Sequence, residues 1–150
     1  MKNLITNPEE RIRFVRFSIV GAIGTVVDFA AYNFLNLIIG LTPVLSQAFS
    51  FALAVINNFT WNRHWTYPDS RSKVLHHQMA QFGLINVIGL VIRTPIIGGL
   101  ERPFGILIGR LGFRPDAATI AGHNIALAIA IGIVMLWNYF ANRYWTYNDV

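Results

Sequence analysis

The 150-residue sequence contains no cysteine, which excludes disulfides, thiolate catalysis and Cys-based zinc sites. Charge is scarce as well. Only 13% of the residues are Asp, Glu, Lys or Arg, where a soluble domain uses roughly 25% to cover its water-facing surface. Seven acidic residues leave little for enzyme chemistry to build on. Glycine-rich phosphate loops, a Ser/His/Asp arrangement and a carboxylate pair for glycosidic cleavage are all missing. The four histidines do not make a metal site: His76 and His77 are adjacent and diverge on a helix, His64 is a loop residue, and His123 belongs near the opposite membrane face. No cofactor is implied, and the reading is of a non-enzyme.

What fills the chain instead is apolar: 54% of residues are hydrophobic. A helix crosses the hydrocarbon core with about 20 mostly apolar residues, and four segments qualify, near Phe14–Leu41, Val44–Trp61, Met79–Leu100 and Ala117–Phe140. The first is too long for a signal-peptide core. The predicted fold is therefore all-α and integral to the membrane. Thr42-Pro43 forms a tight hairpin, Asn62 to Gln78 a polar link, and Glu101 to Asp116 a mixed outer link expected to lie along the interface. Of the twelve Lys and Arg all but Arg93 gather at the ends of the apolar runs, so the basicity reads as membrane topology and not as a nucleic-acid footprint. Lys2, Arg11, Arg13, Arg16, Arg63, Arg71, Lys73 and Arg143 fall on one side, against Arg102, Arg110 and Arg114 on the other. The positive-inside rule places the first set, with both termini, in the cytoplasm.

The chain repeats itself. Asn58 to Asp69 recurs eighty positions on as Asn138 to Asp149, with seven of twelve positions identical, including Asn62-Arg63 and Trp65-Thr66-Tyr67 against Asn142-Arg143 and Trp145-Thr146-Tyr147. The first helices match more weakly at an offset of sixty-five, pairing Phe17 with Phe82 and Gly24 with Gly89. One membrane domain over residues 1–150 is expected, made of two parallel two-helix units, about 14–69 and about 79–149, with an outer insertion at about 101–116. Repeats of this kind place transport sites at their interface or serve stability alone.

Asp28 and Arg93 share one position in the repeat, at mid-span, where an isolated ion costs about 2.5–3.5 kcal/mol on insertion scales. They read as a site in which Arg93 binds an anionic group that Asp28 holds or releases, or as an ion pair that fixes packing. Arg63 and Arg143 close the second and fourth helices, each behind an Asn and two places before a Trp. Guanidinium forks grip phosphate bidentately, so the paired Asn-Arg motifs read as a cradle for lipid phosphate, or as snorkelling anchors in an aromatic belt of Trp65, Tyr67, Trp145 and Tyr147. Ser46, Ser50, Ala54, Asn58 and Asn62 recur every four residues, as do Ala126 and Ala130 and then Asn138 and Asn142, a stripe for close helix contact.

Arg16 to Gly21, then Gly24-Thr25 with Asp28, and the two Asn-Arg-x-Trp-Thr-Tyr endings together resemble the GtrA-like family from about Phe14 to Tyr147. The resemblance implies a role in cell-surface polysaccharide synthesis, moving a polyprenyl-phosphate-linked sugar across the cytoplasmic membrane. The alternative it allows is a non-transporting anchor or partner subunit for a polyprenyl-phosphate glycosyltransferase. A small multidrug exporter shares the four spans and the first-helix carboxylate, but a mid-membrane Arg93 suits it poorly. Expected partners are membrane lipids, the lipid-linked sugar, a glycosyltransferase and further copies of the chain, since four short helices enclose little space; nucleic acid is not among them.

Overall fold

The computed structural model describes residues 7–70 and 72–149, so Lys2 and Arg71 of the basic set lie outside the described residues. Helix α1, Pro8–Asn33, opens on a capped start. Asn7 Oδ1 accepts from the Glu9 amide at 3.0 Å, Pro8 sits at the first helical position, and Glu9 and Glu10 face the positive end of the helix dipole. A π-helical turn, Phe34–Ile38, ends it. The chain then reverses at Gly40, whose φ of +80° glycine adopts freely and residues with a Cβ rarely do. Thr42 caps α2, Pro43–Trp61, with its hydroxyl, and Pro43 begins it, as the sequence predicts.

Helix α3 runs from Leu75 to Arg110 and α4 from Pro115 to Ala141. Here the expectation of a long outer link is corrected. Glu101 to Arg110 is not a separate segment but the last turns of α3, which continues through Pro95 and Pro103 and leaves only Leu111 to Arg114 as the connection. Proline is tolerated inside membrane helices because neighbours re-satisfy the freed backbone groups. Small residues supply the contact that keeps this end helical. A Cβ at Gly122 would meet the Gly105 backbone and lie 2.6 Å from the Glu101 carbonyl oxygen, and His123 Nδ1 lies 3.0 Å from Glu101 Oε2.

The chain divides into two compact units, Met1–Gly83 with Ala141–Val150, and Leu84–Phe140. In the first, α1 packs on α2 through Phe17, Val20 and Gly24 against the expected stripe of Ser46, Ser50 and Ala54, all buried. Gly24 has no room for a side chain because the Asn58 amide fills that space. In the second unit the corresponding pair recurs, with Asn138 Oδ1 3.0 Å from where a Gly89 Cβ would stand. Ala118, Gly122, Ala126 and Ala130 form the buried edge of α4, and Trp137 Nε1 donates to the Ile85 carbonyl at 3.2 Å.

Three helical stretches, Pro8–Ile38, Leu75–Arg110 and Pro115–Thr146, are long and apolar enough to cross a bilayer. Helix α2 is shorter, at nineteen residues, and carries Gln47, Asn57 and Asn58 within that length. Large apolar side chains such as Val26, Phe29, Leu37, Val44, Val91 and Ile120 stand exposed along the helices. Water would not tolerate that much outward apolar surface; lipid requires it. The protein is an all-helical membrane protein, with no strand among the described residues.

Candidate functional site

Both copies of the repeated motif fold alike. Each long helix ends in a five-residue π turn, Asn62–Thr66 and Asn142–Thr146, closed by the following Tyr amide donating to the Asn carbonyl at 2.8 Å. The wider turn rotates the chain so that Asn, Thr and Tyr point inward while Trp points out. Asn62, Thr66, Asn142 and Thr146 are buried, and Trp65 and Trp145 are exposed. Tyr67 and Tyr147 correct the expectation of a four-member aromatic belt. Both are fully buried, stacked on each other with ring centroids 4.3 Å apart and planes 16° apart. Of these four aromatics only Trp65 and Trp145 are exposed. Such π turns occur often at functional sites.

Around this stack lies a polar cap made within the first unit. Arg16 donates to the Trp65 carbonyl at 3.1 Å and stands over the Trp65 ring at 5.6 Å, and Lys73 donates to the Trp145 carbonyl at 2.7 Å. Arg13 lies over the Tyr67 ring at 5.9 Å. Gln78, at the start of α3 and fully buried, donates to the Ser70 hydroxyl at 2.7 Å and the Thr146 carbonyl at 3.2 Å. Asp149 accepts from Ser70 and Ser72, each at 2.5 Å. Partial burial opposes its ionisation, yet these two hydrogen bonds, its own backbone and Lys73 hold the carboxyl below the usual aspartate range.

The two arginines of the motif differ in their surroundings. Arg143 meets Glu10 with both Nε and Nη2, at 3.0 and 2.9 Å to Oε1, and its Nη1 donates to the Tyr147 carbonyl at 3.1 Å. Glu10 also accepts from Arg13 at 2.9 Å. Beside Arg143, Thr146 donates to Asn142 Oδ1 at 2.9 Å. In the other copy, Arg63 Nη1, Asn62 Oδ1 and Thr66 Oγ1 are buried with no hydrogen-bond partner, and so is the Tyr147 hydroxyl. Burial pushes the Tyr147 phenol far above its usual range, and the nearby Arg63 charge only partly offsets this, so the hydroxyl keeps its proton.

The remaining candidates lie deeper. Asp28, on α1 in the first unit, has Oδ1 buried without a partner, as do Asn57 through Nδ2 and Asn58 through Oδ1 on α2. Arg93 is half-buried on α3 in the second unit, where Asn138 also lies. Sequence reasoning missed Glu10, Arg13 and Gln78. A signal existed for the first two, because an acid three residues before a base at a helix start is a natural pair, but nothing local ties Glu10 to Arg143.

The family model of the GtrA/DPMS transmembrane domain matches residues 16–147. The chain belongs to this family. The matched stretch begins at Arg16 and ends at Tyr147, both members of the polar cap, so the GtrA/DPMS module takes in the cap's two π turns while Glu10 and Arg13 stand outside it. Among relatives, an uncharacterized membrane protein of Bacillus subtilis, YngA, is 28% identical over 144 residues, which is 94% of this chain and 84% of that protein. A dolichol-phosphate mannosyltransferase of Pyrococcus furiosus is 30% identical over 80 residues, 53% of this chain but only 22% of the enzyme. The likeness to that enzyme thus concerns a small part of it.

Proposed function

We propose that this GtrA/DPMS-family chain binds a polyprenyl-phosphate-linked sugar and moves it across the cytoplasmic membrane for cell-surface polysaccharide synthesis. The observation that carries the reading is the cationic cap. A membrane module that is apolar over its length ends in buried amides and hydroxyls and a half-buried Arg63 beside exposed tryptophans, which suits a phosphate at headgroup depth. In this reading α2 is the fourth span. Its nineteen residues extend about 28 Å, close to the roughly 30 Å hydrocarbon core, and its polar Asn57 and Asn58 face protein. Both termini lie in the cytoplasm. Asp28 and Arg93 each supply a polar station at mid-span for phosphate or sugar, and a homo-oligomer encloses the passage. The sequence carries no glycine-rich phosphate loop, and in this reading movement is passive or coupled to an ion gradient.

The test is translocation in proteoliposomes, using a fluorescent short-chain polyprenyl-phosphate sugar and an impermeant quencher. Wild-type protein accelerates loss of the protected fraction. Asp28→Asn slows it at least tenfold without lowering the melting temperature, since the variant removes a buried charge with an unpartnered oxygen. No acceleration by wild type overturns the reading. One observation favours a second one. The relative named dolichol-phosphate mannosyltransferase matches through a minor part of its length, as an anchor or partner subunit for a glycosyltransferase would. An anchor retains its partner when Asp28 is neutralised and gives no translocation.

A further inference from the structure

The two motif copies are built on one plan and completed differently, and the difference is one of charge. Where Arg143 stands, the chain provides its own anion: the Glu10 carboxylate, 10% exposed, bonded through both oxygens. The position sixty-five on from Glu10, by the offset that pairs Phe17 with Phe82 and Gly24 with Gly89, is Leu75, an exposed apolar residue at the start of α3. Among the described residues no carboxylate reaches Arg63. The donors there are nonetheless set in place. Arg63 Nη1 and the Tyr147 hydroxyl are both buried and both lack an acceptor. Arg63 as a whole is half-buried, but a guanidinium nitrogen shut from water with no counterion and a buried hydroxyl without an acceptor are each costly, and native structures rarely leave them so. Water would satisfy the hydroxyl but would not neutralise the guanidinium; an anion does both.

We infer that the first motif copy is an open oxyanion site, in which Arg63 and the Tyr147 hydroxyl take a phosphate group in the role that Glu10 plays for Arg143. The inference rests on the lipid-phosphate reading above and narrows it: the two arginines are not an equivalent pair, and one anion is held per chain. Arg63 supplies the charge and the planar fork, and Tyr147 supplies a neutral donor whose position is fixed by its stack on Tyr67. The exposed Trp65, two residues from Arg63, lies where a lipid-borne phosphate would present its alkyl stem. A phosphate carried by a lipid and free phosphate share this chemistry, and the probes below separate them.

The experiment is binding to the full chain in detergent, with farnesyl phosphate, farnesol and inorganic phosphate as probes. Farnesyl phosphate binds wild type and farnesol does not. Arg63→Gln weakens binding about ten- to a hundredfold, the range expected for one charge-assisted contact. Arg63→Lys, which keeps the charge and guards against a folding defect, recovers part of the loss, and Tyr147→Phe loses about tenfold. The double variant Glu10→Gln/Arg143→Gln binds as wild type does. Unchanged binding in Arg63→Gln at unchanged melting temperature overturns the site, as does an equal loss in the Glu10/Arg143 double variant, and in either case farnesyl phosphate binding by wild type still upholds the lipid reading. Inorganic phosphate binding as tightly as farnesyl phosphate, and lost in Arg63→Gln, upholds the site and removes the lipid from it.

Discussion

At the scale of single residues, the polar cap is a set of charges whose partners lie far apart in sequence. Glu10 and Arg143 are 133 positions apart and yet share three short contacts. With side chains 10% and 16% exposed, the pair is well shielded from water. Breaking it from one side leaves a shielded charge, so Glu10→Gln should destabilise the protein by about 3 kcal/mol, and adding Arg143→Gln should recover most of that. Thermal unfolding of the purified variants checks this; equal losses in the single and double variants would contradict it. Asp149 gives a pH prediction. Because its carboxyl titrates below the usual aspartate value in the folded protein, folding favours the ionised form. That contribution is complete above the unfolded value of about 3.9 and is lost as pH falls through the folded one. The melting temperature of wild type should therefore drop more steeply below about pH 4 than that of Asp149→Asn, whose curve lacks this component. Parallel curves would rule Asp149 out as a source of acid sensitivity.

At the scale of elements, close helix contact through small residues accounts for most of the packing, and the glycines rank themselves. A methyl at Gly122 meets backbone, which cannot step aside; at Gly24 it meets the Asn58 amide, which can turn; at Gly21 it meets nothing within 4 Å. Gly122→Ala should cost about 1–3 kcal/mol, Gly24→Ala less, and Gly21→Ala should be neutral or stabilising by up to about 1 kcal/mol. Melting temperatures in that order would agree, and a Gly21 variant worse than Gly122 would not. The parts of these elements legible in the sequence are those governed by local rules. Thr42-Pro43 announces the α1–α2 hairpin, and the four-residue spacing of Ser46, Ser50 and Ala54 announces the inner face of α2. The mixed stretch after Leu100 misled, because it looks like a link and is in fact carried to Arg110 within α3, where Gly105 lets α4 approach. The burial of Tyr67 and Tyr147 was illegible for a related reason. A π turn changes which side chains face inward, and no propensity marks it. The two repeated motifs form the cap's two π turns; that Glu10 engages Arg143 and leaves Arg63 Nη1 without a partner rests on a contact no local pattern encodes.

At the scale of the whole molecule, the reading depends on orientation in the bilayer and on what the cap holds. Orientation has a simple check. Ser72 and Leu111 are both exposed and sit in links on opposite sides of the proposed topology. In intact cells, Ser72→Cys should resist an impermeant thiol reagent and Leu111→Cys should react, in a chain whose lack of native cysteine leaves no background. Reversed labelling would invert the topology and place the cap outside. The central claim, that this GtrA/DPMS-family chain carries a phosphate-linked isoprenoid sugar, is tested most directly by native mass spectrometry of the protein purified gently from its own membrane. The account predicts a bound species with the mass of a polyprenyl-phosphate sugar, retained in Glu10→Gln/Arg143→Gln and depleted in Arg63→Gln. Bulk phospholipid alone, present equally in wild type and Arg63→Gln, would contradict it.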